Sequence, residues 1–235
     1  MTVRPTTFAR WWHGVLAAVV IASLVIQLVL LFRAGADANS GHTTGGTTVG
    51  VRLWRLFSYF TIESNLFVLG TCLVLAWRPT FDGRIWRVVR LDALLGILIT
   101  GVVYAIVLAP TMHLTGAALA ADIGFHYVAP WGTLAAWLLF GPRPRITWGT
   151  VAGAFIWPAL WLVYIFTQGA LTQWYPYPFL DVGALGFGTA LVNAILVVLV
   201  ALVFVALIKL IDSRLPALVR PATPEGPQWI EAAQD

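Results

Sequence analysis

Six apolar runs, at about 11–32, 53–77, 91–109, 122–140, 148–167 and 185–211, leave this chain few folds to choose from. A helix rises about 1.5 Å per residue, so each run is long enough to cross a hydrocarbon core roughly 30 Å thick. In lipid every backbone N–H and C=O must bond within the protein, and a continuous helix meets that demand. The expected fold is an all-α integral membrane protein. A single six-helix transmembrane domain would occupy 1–215, followed by a polar, proline-punctuated tail over 216–235 that reads as disordered. Hydrophobic residues make up 60% of the chain and charged residues 10%, against roughly a quarter charged in a soluble domain. The first run resembles a signal peptide in its preceding Arg4 and Arg10. It exceeds the usual core of about 7–15 residues and carries an aromatic Trp11-Trp12 anchor, so we read it as a span.

Charge gives the orientation. The N-terminus, the second and fourth connections and the C-terminus hold eleven of the fourteen Lys and Arg residues, leaving Arg33, Arg52 and Arg55 for the other side. Basic loops stay on the cytoplasmic side, so both termini are expected there, in the plasma membrane. The same distribution argues against nucleic acid as a partner, because the cations lie between apolar runs and form no single patch. The lone Cys72 lies in an apolar run and offers neither a disulfide nor a thiolate metal site.

The second run is the anomaly. The stretch FSYFTIESNLF, 57–67, places Ser58, Thr61, Glu63, Ser64 and Asn65 where hydrocarbon is expected, and such groups are costly unless they face protein or water. On one continuous helix Thr61 lies roughly 9 Å inward of Arg55. Ser58, Thr61 and Asn65 share a face, and Glu63, about 200° round from Thr61, addresses a different neighbour. The fourth run begins on the same side, with Asp122, His126 and Pro130 at helical spacing. Asp122 could therefore orient the imidazole, and Pro130 could kink the helix beside it. The fifth connection adds Trp174, Tyr175, Tyr177 and Asp181 on that side, as an interfacial anchor or a lid. Polar and aromatic groups thus converge on the outer half of the membrane.

Three stretches, SYFTIESNLFV, DIGFHYVAPWGTLAAWLLFGPR and WYPYPFLDV, together resemble the androgen-induced membrane proteins, a family that includes the androgen-dependent regulator of tissue factor pathway inhibitor, and their six-span bacterial relatives. The resemblance implies a threonine hydrolase that cleaves fatty acid esters of hydroxy fatty acids. It further implies that Thr61 is the nucleophile and His126 the base.

Elementary chemistry is compatible with that pair. A threonine hydroxyl needs a base within hydrogen-bond reach, and an imidazole, which titrates near neutral pH, can be one. Ser58, Asn65 and Tyr127 are candidate donors for an oxyanion, with Asp122 as the orienting carboxylate. Phe57, Phe60, Glu63, Trp157, Trp174, Tyr175, Tyr177 and Asp181 are candidates for lining the substrate. The expected partners are the bilayer and a lipid substrate entering from the outer leaflet. No cofactor is implied, and no sequence feature specifies an oligomeric state. Two rival readings stand beside the esterase. One is a zinc site using His113, Asp122 and His126, although their spacing matches no tight ligand motif. The other is a non-enzymatic lipid-binding protein or transporter in which Glu63 and Asp122 bind or couple.

Overall fold

A computed structural model of the chain describes residues 5–34 and 47–219. The first span is α1 (Pro5–Ala34), and the second region divides into α2 (Val49–Ser58) and α3 (Phe60–Trp77). Next comes α4 (Arg84–Val103), continued by a π turn over Tyr104–Leu108 and a 3-10 turn over Ala109–Thr111. The fourth span joins α5 (Gly116–Ile123), a π turn over Gly124–Val128, and α6 (Ala129–Phe140). The fifth joins α7 (Trp148–Ala154) to α8 (Ile156–Thr172). A 3-10 turn at Pro178–Leu180 and the short α9 (Val182–Leu185) precede α10 (Phe187–Arg214). Six of these stretches are long and apolar enough to cross a membrane, which makes this a multi-pass membrane protein.

The α4 span is the hub. Its apolar stretch is 72% buried, against 22% for α10, so α10 faces lipid while α4 packs on α3, α6, α7 and α10. Close approach needs small residues, because helices in lipid associate by packing rather than by expelling water. A Cβ at Gly101 would lie 2.8 Å from Pro130 Cβ, so glycine is what lets α4 meet the fourth span there.

The second region is not the single helix expected over 53–77. Tyr59 takes an extended backbone (φ −73°, ψ 125°) and separates α2 from α3. Patterning accompanies the break: α2 carries Arg52, Trp54 and Arg55 on an amphipathic helix that suits an interface, whereas α3 is not amphipathic and is apolar from Leu66 onward apart from Thr71. The Oγ1 of Thr48 accepts from the Val51 N–H to cap α2, and Arg52 donates to the carbonyl of Leu31 at the end of α1. Thr61 therefore stands in the first turn of α3 rather than two turns inside a longer helix.

Pro130 has a subtler effect than a kink. It lacks an N–H and its ring crowds the carbonyl four residues back, that of His126. The backbone widens ahead of it, and the Ala129 N–H bonds the carbonyl of Gly124, five residues back. Such π turns are frequent at functional sites.

At the opposite end of the bundle, Arg143 donates to the carbonyls of Trp137, Leu138, Leu215 and Pro216. The N–H groups of Leu218 and Val219 bond the carbonyls of Leu139 and Phe140. Residues 216–219, the start of the tail expected over 216–235, are thus fastened to the fourth span; the rest of that tail, 220–235, lies outside the described residues. Nearby, Asp82 is paired with Arg87 and Arg145. The Arg87 hydrogen bond is the main reason its carboxyl is held down to about 2.

Candidate active site

Three elements bring the site together: the first turn of α3, the π turn over Gly124–Val128, and the loop ending at Tyr177. The break at Tyr59 leaves the first N–H groups of α3 without helical partners, as at any helix start. One of them, on Thr61, donates to the hydroxyl of Tyr177 at 3.1 Å. The Thr61 side chain, 4% exposed, has its Oγ1 3.2 Å from the same hydroxyl and 3.4 Å from His126 Nε2. This is not the common fate of a helical threonine, which is to bond its own carbonyl four residues back.

His126 is 1% exposed, and its surroundings fix its tautomer. Nδ1 stands 3.2 Å from the carbonyl oxygen of Asp122 in hydrogen-bond geometry. It is also 2.9 Å from Asp122 Oδ1, a close contact without that alignment. Both neighbours are acceptors, so Nδ1 carries the proton and Nε2 presents its lone pair to Thr61. Asp122 is in turn held by Tyr104, whose hydroxyl donates to Oδ2 at 2.7 Å. The Tyr104 ring stacks on the imidazole with centroids 3.7 Å apart. A hydroxyl, an imidazole and a carboxylate therefore form a chain, the arrangement by which a weak nucleophile is activated.

Beside Thr61 lies an apolar cavity of about 200 Å³. Phe60, Thr61, Tyr104, Trp161, Tyr177 and Phe179 surround its upper part, and residues of α4, α8 and α10 enclose the rest. One of its lining residues, Ala159 of α8, is exposed.

The other expected residues divide. Asn65 is not an oxyanion donor: its amide donates to the carbonyls of Thr61 at 2.8 Å and Phe125 at 3.4 Å, clasping the two site elements together. Ser58 lies beyond the break, so it does not share a face with Thr61. It donates to the carbonyl of Trp54 and contacts the Tyr164 hydroxyl, each at 2.8 Å. Tyr127 is exposed and meets Tyr104 edge-on.

Among the expected lining residues, Phe60 and Tyr177 border the cavity and Phe57 does not. The break turns Phe57 outward, 47% exposed. Glu63 accepts from Trp157 Nε1 at 2.6 Å on another face of α3, so neither borders the cavity. Trp157 instead stacks on Phe60. Trp174 packs on Tyr59 and under Arg55, and Tyr175 lies against Gly169. Asp181 caps α9 through the Ala184 N–H. His113 is exposed on the connection after α4. Among the described residues no group of three His, Cys, Asp or Glu side chains is placed to hold a metal.

Sequence reasoning missed Tyr104 and the cavity-lining residues of α8 and α10, such as Trp161 and Ala201. The signal for Tyr104 was a lone phenol near the C-terminal end of a mostly apolar run. No protein-family model, curated protein or solved structure matches the chain.

Proposed function

We propose that this protein is a membrane-embedded lipid ester hydrolase that uses Thr61 as nucleophile and His126 as base. The observation that carries the reading is a buried Thr61–His126–Asp122 chain bordering an apolar cavity. Thr61 Oγ1 attacks the ester carbonyl while Nε2 takes its proton. Collapse of the tetrahedral intermediate expels the alcohol, which recovers that proton from Nε2. Water, deprotonated by the same nitrogen, then cleaves the acyl-threonine and frees the acid. The Tyr177 hydroxyl, 3.2 Å from Thr61 Oγ1, is the proposed donor to the developing oxyanion, and the Thr61 N–H, at the positive end of α3, would join it by exchanging its bond to Tyr177 for one to the oxyanion. The 3.4 Å between Thr61 and His126 is long for a working hydrogen bond and shortens in the substrate complex, as is common for catalytic pairs.

The resemblance to the androgen-induced proteins supports the same reading and suggests fatty acid esters of hydroxy fatty acids as substrate class. Arginine distribution supports cytoplasmic termini and a plasma-membrane setting, with the site in the outer leaflet. The test is release of fatty acid from lipid esters by the detergent-purified protein. Wild type should turn over, while Thr61→Val and His126→Ala should not. Equal rates in all three would remove both residues from the mechanism.

A further inference from the structure

The cavity beside Thr61 has a measurable depth. Three contacts mark the level of the reacting groups on the three helices that enclose it. At the end of α4 it is Tyr104, the first residue of the π turn, stacked on His126. On α8 it is Trp161, whose Nε1 donates to the carbonyl of Ser58 at 3.1 Å. On α10 it is Asn193, which donates to the carbonyl of Phe179 at 2.9 Å. From those levels the cavity wall continues to Leu95, Phe155 and Ala201 and no further. At 1.5 Å per residue these intervals are about 14, 9 and roughly 11–12 Å. Beneath the floor Leu91, Val151, Ala154 and Val205 are buried in one core, so the slot is closed below.

An extended hydrocarbon chain with carbon–carbon bonds of about 1.5 Å advances roughly 1.3 Å per carbon, so this depth holds about seven to eleven carbons. Volume agrees: about 200 Å³ accommodates about seven groups the size of a water molecule at roughly 30 Å³ each, and a methylene is of that size. We propose that the cavity is a measuring slot for a single unbranched acyl chain of medium length, with Ala201 and Leu95 setting its floor. The inference rests on the hydrolase reading for the chemistry at its upper end, though not for the binding of the chain.

The experiment uses the full-length protein in nanodiscs and a decanoic acid bearing a diazirine, with unlabelled fatty acids of six to sixteen carbons as competitors. Each added carbon should strengthen competition about four-fold, the value of a buried methylene, until a break at about seven to eleven carbons, and then the gain should stop. Crosslinks should fall on α10 between Ala194 and Ala201. Ala201→Leu should move the break to shorter chains and Leu95→Ala to longer ones, so failure of one variant to fold leaves the other informative. Labelling that rises through sixteen carbons without a break, or a break that neither variant moves, overturns the slot. A length break in a protein that hydrolyses no ester would leave the slot standing and remove the hydrolase. Ester turnover without a break would do the reverse.

Discussion

Tyr104 lies flat against His126, the two rings 13° from parallel, and the same residue donates its hydroxyl to Asp122. One side chain thus fixes the plane of the imidazole and the position of the carboxylate that keeps Nδ1 protonated. Neither constraint depends on solvent, which a buried site cannot recruit for orientation.

Tyr104→Phe keeps the stacked ring and deletes the bond to Asp122. Hydrogen bonds to charged groups contribute about 1.5–3 kcal/mol, so kcat should fall about ten- to a hundred-fold. KM should stay within a small factor, because the phenyl ring still borders the cavity. An unchanged kcat would show that Asp122 holds its place without Tyr104.

Asp122→Asn tests the tautomer. A carboxamide can donate to Nδ1 as well as accept from it, and donation would move the ring proton to Nε2, where it opposes removal of the Thr61 proton. By analogy with other nucleophile–histidine–carboxylate triads the loss should reach about 10³–10⁴-fold in kcat. Turnover near the wild-type rate would mean that the Asp122 carbonyl alone orients His126.

Much of this was legible in the residues. Apolar run length alone pointed to six spans, and the alternation of spans with helical spacing pointed to one depth for Thr61, Asp122 and His126, which the structure has in contact. What escaped depends on backbone events without a periodic signal. Tyr59 is aromatic and apolar enough to continue a helix, yet the chain breaks there, between an α2 that is amphipathic and an α3 that is not. That one residue moved Ser58 off the Thr61 face and turned Phe57 outward. The π turn ahead of Pro130 joins Ala129 to Gly124 at a spacing that no helical period suggests, and the partnership of Tyr104 with Asp122 joins residues eighteen positions apart on different spans.

Glu63 separates the hydrolase from a transporter. It meets Trp157 on the far side of α3 from His126, so Glu63→Gln should leave ester turnover within about three-fold and lower stability by about 1 kcal/mol through the weakened bond. Thermal unfolding and turnover measured on the same sample check both. Loss of all turnover with stability intact would place Glu63 in the chemistry and contradict the account.

Gly101 is predicted to accept no side chain without a shift of the fourth span. A methyl group there meets Pro130 at 2.8 Å and the His126 carbonyl at 3.3 Å, so Gly101→Ala should destabilise by about 1–3 kcal/mol and slow turnover by moving His126. Gly70→Ala, with nothing within 4 Å of the added carbon, is the matched control and should hold or raise Tm. Equal Tm changes in both would show that α4 and the fourth span are not in the tight contact described.

The most direct measurement is to ask which atom becomes covalently modified. A long-chain fluorophosphonate, which loses fluoride to an activated hydroxyl, should leave a phosphonyl adduct that peptide mass spectrometry locates on Thr61. The adduct should be absent from Thr61→Val and strongly reduced in His126→Ala. Ester hydrolysis by the wild type with no adduct on Thr61, and with full turnover retained in Thr61→Val, would contradict the central claim.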